Sequence, residues 1–289
     1  MVEWKNLDEL NSFKELEACE KVDLKTVMSG NEGAERVKTY SCAMAEGLTY
    51  NYAAKAVDAK VLEAIKKLAE EAQLSEKFEA LYNGEMVNTG EKRLVLHQLC
   101  RGQLGEDVIA DGVNKREFYV KQQKRIAEFA EKVHNGTITN AAGEKFTTVV
   151  QIGIGGSDLG PRAIYIALEN WARKNNTLKM EAKFISNVDP DDAAAVLNSI
   201  DVAHSLFVLV SKSGTTLETL TNEAFVKDAL KNAGLDPANH MVAVTSETSP
   251  LAKNEGYLDA FYMDNYIGGR YSSSSAVGCA VLSLAFGPK

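Results

Sequence analysis

The chain has 289 residues, of which 45% are hydrophobic and 25% charged, so we expect a folded protein of one or two domains with an ample core. Its formal net charge of −8 argues against nucleic acid as the main partner. No apolar stretch approaches the roughly 18–20 residues of a membrane span, which argues against a membrane protein.

Cysteine and histidine spacing gives no sign of a metal site. The four cysteines show no C-x-x-C pattern, and the four histidines lie far apart. We therefore predict no metal or cofactor, and thiols that are reduced and buried. The polar first residues, MVEWKNLDEL, lack the apolar run of a signal peptide, so we predict a cytoplasmic location. The residues concerned are Cys19, Cys42, Cys100, Cys279, His97, His134, His204 and His240.

Residues 1–140 are predicted to be mostly helical. The segment Tyr52–Leu81 is rich in Ala, Lys, Glu and Leu, with apolar residues at helical spacing, and Asn83-Gly84 follows it as a stop. The segment Met86–Gly102 suggests a loop that enters a helix, where we interpret His97 as a packed, hydrogen-bonded residue. Further helices are predicted at Leu7–Glu20, Gly33–Ala45 and Val113–Val133, the last ended by Asn135-Gly136.

The pattern changes after Ala142-Gly143, where short β-branched runs alternate with helical segments. This alternation predicts an α/β fold in which about five parallel strands are covered by helices on both faces. We therefore predict a helical N-terminal region, residues 1–140, that packs on a domain formed by residues 141–289. Helix starts are predicted at Asp189-Pro190 and Ser249-Pro250. The predicted strands are Phe146–Ile152, Ala182–Ser186, Leu206–Val210, Met241–Thr245 and Leu258–Met263.

The stretch SLFVLVSKSGTTLETLT, residues 205–221, joins a buried strand to a helix that we predict at Leu217–Ala233. Thr215 and Glu218 form a capping-box pattern at the helix start. Between strand and helix, residues 211–216 bring four hydroxyls, one ammonium and one glycine. Free N–H groups and the positive helix end converge there, so we interpret this loop as a phosphate cradle. The alternative is an ordinary strand-to-helix turn, where Ser, Thr and Gly are common.

Two further glycine motifs lie downstream of predicted strands. The segment GIGGSDLGP, residues 153–161, does not fit dinucleotide binding, because Asp158 occupies the third glycine position of G-x-G-x-x-G. No P-loop for nucleotide triphosphates is present. The Ser157 hydroxyl beside a helix start suits sugar hydroxyls or a second anion contact. In Gly268–Ser272, two glycines precede Arg270, whose guanidinium suits an anionic ligand, although a glycine turn with a surface arginine is the alternative.

Together these motifs resemble the glucose-6-phosphate isomerase (phosphoglucose isomerase) family. The resemblance rests on GIGGSDLGP, on SKSGTT followed by a glutamate, on GGRYSxxSAVG, and on the earlier segment NTGEKRLVLHQLCRG. It covers about Asn88 to Gly278. Ser213-Gly214 stands where many members have Thr-Phe, and Ser272–Ser275 where many have Ser-Leu-Trp-Ser.

The resemblance implies a sugar isomerase (SIS) domain, a three-layer sandwich of helices around a parallel sheet. It implies interconversion of glucose 6-phosphate and fructose 6-phosphate through an enediolate without a cofactor. Arg270 would stabilise the enediolate, and Glu218 would line the site with a role in handling the sugar ring. Gly156 and Ser157 would contact the sugar. The phosphate loop would consist of Ser211, Lys212, Ser213, Gly214, Thr215 and Thr216.

The family's general base, a glutamate, and its ring-opening histidine and lysine are expected beyond Lys289, in a second SIS domain. We therefore expect an N-terminal fragment that keeps half of the sugar-phosphate site and little or no isomerase activity, from a protein that is a homodimer at full length. The alternative that the sequence leaves open is a stand-alone SIS domain that binds a sugar phosphate as a regulator.

Overall fold

The computed structural model describes residues 2–102, 104–253 and 255–288. The chain divides into two compact units, Met1–Ala80 and Leu81–Lys289. The predicted boundary between residues 140 and 141 therefore lies inside the second unit. The reason is that the long helix before this boundary packs against the last helix of the chain, as described below.

The first unit combines short helices with a two-stranded antiparallel hairpin. Its elements are α1 (Asn11–Glu17), α2 (Leu24–Val27), α3 (Gly30–Thr39), β1 (Ser41–Ala43), β2 (Thr49–Asn51), α4 (Ala59–Glu71) and α5 (Leu74–Tyr82), which runs into the second unit. Two predicted helices are corrected. The helix predicted to reach Ala45 ends at Thr39, because the hairpin begins at Ser41. The helix predicted over Tyr52–Leu81 is two helices, separated where Gln73 adopts a left-handed φ of 53°.

The second unit carries the predicted parallel sheet. Its elements are β3 (Ile109–Ala110), β4 (Val113–Asn114), α6 (Lys115–Asn135), β5 (Thr148–Ile152), α7 (Leu159–Lys174), β6 (Glu181–Ile185), α8 (Pro190–Asn198), β7 (Ser205–Val210), α9 (Leu217–Asn232), β8 (Met241–Thr245), β9 (Ala260–Tyr262) and α10 (Ala276–Phe286). Five strands pair in parallel in the order β6-β5-β7-β8-β9, which confirms the predicted α/β fold. The helix predicted in Met86–Gly102 is only a 3₁₀ turn, His97–Cys100.

Central strand β7 shows why the sheet needs helices on both faces, because all six of its residues are buried. Leu206, Val208 and Val210 point into the core formed with α6, α7 and α10. Phe207 and Leu209 point into the core formed with α8 and α9. Alternate side chains of a strand face opposite sides, so a continuous apolar run requires this three-layer arrangement.

The strand order also creates a crevice. After β5 the chain crosses to β6 on one side of the sheet, and it then returns to β7 on the other side of β5. The loops that follow the carboxyl ends of β5 and β7 therefore leave in opposite directions and open a space between them. Both glycine- and hydroxyl-rich loops, residues 153–158 and 211–216, lie at these two ends.

Helix boundaries follow local capping in several places. Asp189 caps α8 by accepting from the backbone N–H of Asp191 at 2.9 Å, with Pro190 first in the helix, as predicted. Gly136, with a φ of 83°, ends α6 as predicted. All four cysteines are free, but the prediction of buried thiols is confirmed only for Cys100, since Cys42 is exposed and Cys19 and Cys279 are partly exposed. Among the described residues, none of the helices has both the length and the apolar character required to cross a bilayer.

His204 forms a charged clamp that links the turns before β5 and β7. Its Nδ1 lies 2.8 Å from Asp201 Oδ2 and its Nε2 lies 2.9 Å from Glu144 Oε2. The hydrogen bond with Asp201 and the two carboxylate charges outweigh partial desolvation, so the pKa of His204 is raised above its usual value. The protonated ring is thus favoured in the folded protein. The contribution of His204 to the free energy of unfolding is therefore complete below the unfolded pKa of about 6.5, and it is lost as the pH rises through the raised pKa of the folded protein.

We expect His204→Gln to lower the free energy of unfolding more at pH 6 than at pH 8.5, by about 1 kcal/mol or less, as for exposed ion pairs. Chemical denaturation at both pH values measures the difference. In an Asp201→Asn/Glu144→Gln background the pH dependence of the effect should disappear. An equal loss at both pH values in the native background would contradict the charged clamp.

Candidate active site

The hydroxyl loop after β7 is held by its own side chains. Ser211 is buried, its Oγ donates to Thr216 Oγ1 at 3.2 Å, and it accepts from the backbone N–H of Gly214 at 3.2 Å. Ser213 Oγ accepts from the Thr215 hydroxyl at 2.9 Å. The loop is therefore a closed turn whose shape exists before any ligand binds.

The helix after this loop begins differently from the prediction. Its N-cap is Thr216, one residue later than the capping box predicted, and no side chain in the described part of the chain caps the first turn of α9. The predicted capping box is wrong because the Thr215 hydroxyl bonds to Ser213 instead of to the helix. The first-turn N–H groups of a 16-residue helix are therefore left without a side-chain acceptor. Such N–H groups and the positive end of the helix dipole favour an anion.

Gly214 fixes the loop against the chain that follows β8. Its φ of 67° lies in the left-handed region, and an added Cβ would overlap Ser249 Oγ. Both the backbone conformation and the close approach therefore require glycine at this position in this chain.

The glycine loop after β5 packs against the Arg270 loop through backbone atoms. A Cβ on Gly156 would lie 2.6 Å from Gly269 Cα and closer still to the Gly269 carbonyl group. Ser272 Oγ adds hydrogen bonds to Gly156 O at 3.2 Å and to Gly269 O at 2.8 Å. The predicted sugar-contacting loop and the predicted arginine loop are thus in direct contact.

Ser157 and Asp158 have different surroundings. The Ser157 hydroxyl has no hydrogen-bond partner among the described residues, so it is free for a ligand, whereas its carbonyl accepts from Gln151 Nε2 at 2.6 Å. Asp158 is buried and accepts from Arg162 Nε at 2.9 Å. Burial raises the pKa of Asp158, and the Arg162 guanidinium opposes that rise. Asp158, at the third glycine position of the dinucleotide-binding pattern, is therefore paired inside the protein with Arg162.

Lys212 connects the hydroxyl loop to the Arg270 loop. Its ammonium is half-buried and donates to Ile267 O at 3.1 Å, next to Gly268. Burial lowers the pKa of Lys212, and the nearby Arg93 guanidinium lowers it further. A negatively charged ligand would therefore stabilise the protonated form of Lys212, which burial and Arg93 disfavour.

Lys212 and Arg270 line one cleft of about 290 Å³. Arg270 is exposed there and has no ion pair or hydrogen bond with another described residue. The cleft also holds Arg93, whose guanidinium pairs with Glu91 at 3.5 Å. Three cations and one carboxylate make the cleft electropositive, which suits a phosphate or an anionic intermediate. Other lining residues are Asn88, His97, Asn265, Tyr266 and Tyr271.

The structure brings most, but not all, of the predicted site residues together. Gly156 meets the Arg270 loop, and Lys212 ties that loop to the remaining hydroxyl-loop residues. Glu218 lies exposed on the first turn of α9 and does not line the cleft. Sequence reasoning did not assign Arg93 and His97 to the site. Their signal was the segment NTGEKRLVLHQLCRG, which carries both residues.

A second cleft of about 530 Å³ adjoins the first and shares Arg93, Asn265 and Tyr266 with it. In this second cleft the buried Lys115 ammonium lies 3.3 Å from Asp264 Oδ2, so the positive charge of Lys115 is neutralised inside the protein. Among the residues that the structure describes, no group of three or more His, Cys, Asp or Glu side chains is placed to hold a metal ion.

Comparison with known proteins identifies relatives along nearly the whole chain. A profile of the phosphoglucose isomerase family matches residues 51–288. Glucose-6-phosphate isomerases of Treponema denticola and Borreliella afzelii are 58% and 46% identical over 99% and 100% of this chain. The crystal structure of a glucose-6-phosphate isomerase from Chlamydia trachomatis matches 98% of this chain with a TM-score of 0.83 at 37% identity. The chain spans about half the length of these relatives: 55%, 54% and 53%.

We expect Gly156→Ala to lower the free energy of unfolding by about 1–3 kcal/mol, because the added methyl group forces the Gly269 backbone away. The control is Gly90→Ala, where a Cβ would meet only Asn88 Oδ1 at 3.9 Å. Denaturant titrations of both variants give the comparison. Equal stability of the two variants would show that the loops are not in backbone contact.

Proposed function

The chain belongs to the phosphoglucose isomerase family, and from this premise we propose that it supplies the phosphate-binding half of a site that interconverts glucose 6-phosphate and fructose 6-phosphate. The observation that carries the proposal is the first turn of α9, which no described side chain caps and which follows a loop whose Lys212 lines an electropositive cleft. A phosphate dianion needs several donors and a cation, and this arrangement offers them without a metal.

In this proposal the hydroxyl loop binds the phosphate. The first-turn N–H groups of α9 donate to the phosphate oxygens, together with hydroxyls of residues 211–216. The internal bonds of Ser211 hold the loop in shape, so little conformational entropy is lost when the ligand binds. Lys212 adds a charge-assisted contact while it keeps the Arg270 loop nearby through Ile267 O.

The sugar then extends toward the glycine loop and Arg270. The Ser157 hydroxyl, which has no partner among the described residues, would bind a sugar hydroxyl, and Gly156 would contact the sugar while the Gly269 backbone fills the space of its missing side chain. A proton shift between C1 and C2 passes through an enediolate, whose new negative charge needs a preplaced cation. Arg270 has no partner among the described residues and lines the cleft, so we assign it this role. Glu218 keeps its proposed role with the sugar ring, which requires the ligand to reach the exposed first turn of α9.

We further propose that residues 141–289 form the first SIS domain of the full-length protein. The remaining length of the relatives would then supply the base and the ring-opening groups. The full-length protein would be a cytoplasmic homodimer that acts in glycolysis and gluconeogenesis.

We expect the chain to bind glucose 6-phosphate in titration calorimetry, and Ser211→Ala and Thr216→Ala each to weaken binding by the 0.5–1.5 kcal/mol of a hydrogen bond, or roughly 2- to 12-fold. Thr221→Ala is the matched control, because its hydroxyl bonds only to Leu217 O within α9. Glucose and inorganic phosphate separate the two parts of the ligand. Unchanged affinity in both loop variants would place the phosphate elsewhere.

We expect the purified 289-residue chain to show little or no turnover of fructose 6-phosphate in a coupled assay. General acid–base groups normally contribute about 10²–10⁴-fold, and the proposal places them outside this chain. Arg270→Ala should leave this low rate where it is. Robust turnover that Arg270→Ala abolishes would refute the assignment of the base to another part of the protein.

A further inference from the structure

The loop before Arg270 is held from outside by its backbone carbonyls. Tyr266 O accepts from the backbone N–H of Leu96 at 3.1 Å, and Ile267 O accepts from Lys212 Nζ at 3.1 Å. Gly268 O lies 2.8 Å from His97 Nε2. Three successive carbonyls are therefore bound by groups of two other chain segments. The bond from His97 is the last one before Gly269 and Arg270.

His97 is itself fixed in place. It begins the 3₁₀ turn His97–Cys100, and its neighbours Leu96 and Leu99 are fully buried. Its ring meets the Tyr271 ring edge-on with the centroids 6.3 Å apart. The ring therefore touches the Arg270 loop on both sides of the arginine.

The hydrogen bond defines the tautomer of His97. A carbonyl oxygen only accepts, so the proton must lie on Nε2. Burial lowers the pKa of His97 below its usual value, against the opposing effect of the carbonyl, so the neutral ring with Nε2–H is favoured. Because this proton is engaged with Gly268, Nε2 is not free to exchange a proton with a ligand. The contact between His97 and Gly268 therefore holds the loop in place and does not transfer a proton.

We propose that His97 is a positioning residue for Arg270: by donating to Gly268 O it fixes the Gly268–Tyr271 loop so that the guanidinium lies in the cleft before the ligand arrives. The inference rests on the proposed function in so far as Arg270 is assigned to the enediolate. Two glycines precede Arg270, and glycine has the greatest backbone freedom in an unrestrained loop. Gly269 O also accepts from Ser272 Oγ, and Tyr271 O accepts from Arg101 Nη2, so the bond from His97 restrains Gly268 in particular. Without it, the backbone freedom of Gly268 would have to be lost when the ligand binds.

The experiment compares the wild-type chain with His97→Ala and His97→Gln. Glutamine keeps an N–H donor and should restore much of the contact. The matched control is His134→Ala, because His134 Nε2 makes the same kind of bond, 2.8 Å to Leu284 O, away from the cleft. Trypsin cleavage after Arg270 under native conditions, followed by mass spectrometry, reports how often the loop opens.

We expect cleavage in His97→Ala to be roughly 2- to 12-fold faster, the range that corresponds to one hydrogen bond. His97→Gln and His134→Ala should be close to wild type. No acceleration in His97→Ala, or equal acceleration in His134→Ala, overturns the inference. If His97→Ala does not fold, a long-range ¹H–¹⁵N spectrum of the wild-type histidines decides instead: a proton on Nε2 of His97 supports the inference, and a proton on Nδ1 overturns it.

Calorimetry with glucose 6-phosphate separates this inference from the proposed function. If the wild type binds, His97→Ala should bind roughly 2- to 12-fold more weakly. Unchanged affinity would overturn the positioning role. If the wild type does not bind, the proposed function fails for this chain, whereas the cleavage rates, which are measured without ligand, still decide whether His97 holds the loop.

Discussion

The site depends on the contact between two glycine backbones, Gly156 and Gly269. Gly156 leaves no room for a larger side chain, because a Cβ there would overlap the Gly269 carbonyl group. The strand order makes this contact possible, because the loops after β5 and β7 leave in opposite directions and open a space at the carboxyl ends of these strands. Once the two loops touch, the free Ser157 hydroxyl and the Arg270 guanidinium share one region, and Lys212 joins it through Ile267 O.

Charge then gives this geometry its chemical character. The chain is acidic overall, with a net charge of −8, yet the cleft gathers Arg93, Lys212 and Arg270 around a single carboxylate, Glu91. Their mutual repulsion and the burial of Lys212 are unfavourable without a ligand, and a phosphate dianion would relieve both. The first turn of α9, which is not capped by any described side chain, adds backbone donors at the same edge of the sheet, where the parallel strands end. The positive charge of the cleft therefore arises from these three side chains and not from the net charge of the protein.

Much of this arrangement follows from sequence. Five apolar runs separated by helical segments predict the parallel sheet, and the loops at the strand ends predict where the site lies. The missed features depend on geometry that local pattern does not encode. Gln73 interrupts a helix by a left-handed φ, although glutamine is a good helix former. His97 and Gly268 are 171 positions apart, so their hydrogen bond appears only when the packed structure brings the segments together.

The most direct test of the account is a crystal structure of this chain with glucose 6-phosphate. The account predicts the phosphate at the first turn of α9, within hydrogen-bonding distance of the 211–216 loop, and the sugar between Ser157 and Arg270. A phosphate bound instead in the adjoining cleft beside Lys115, with an empty 211–216 loop, would contradict it.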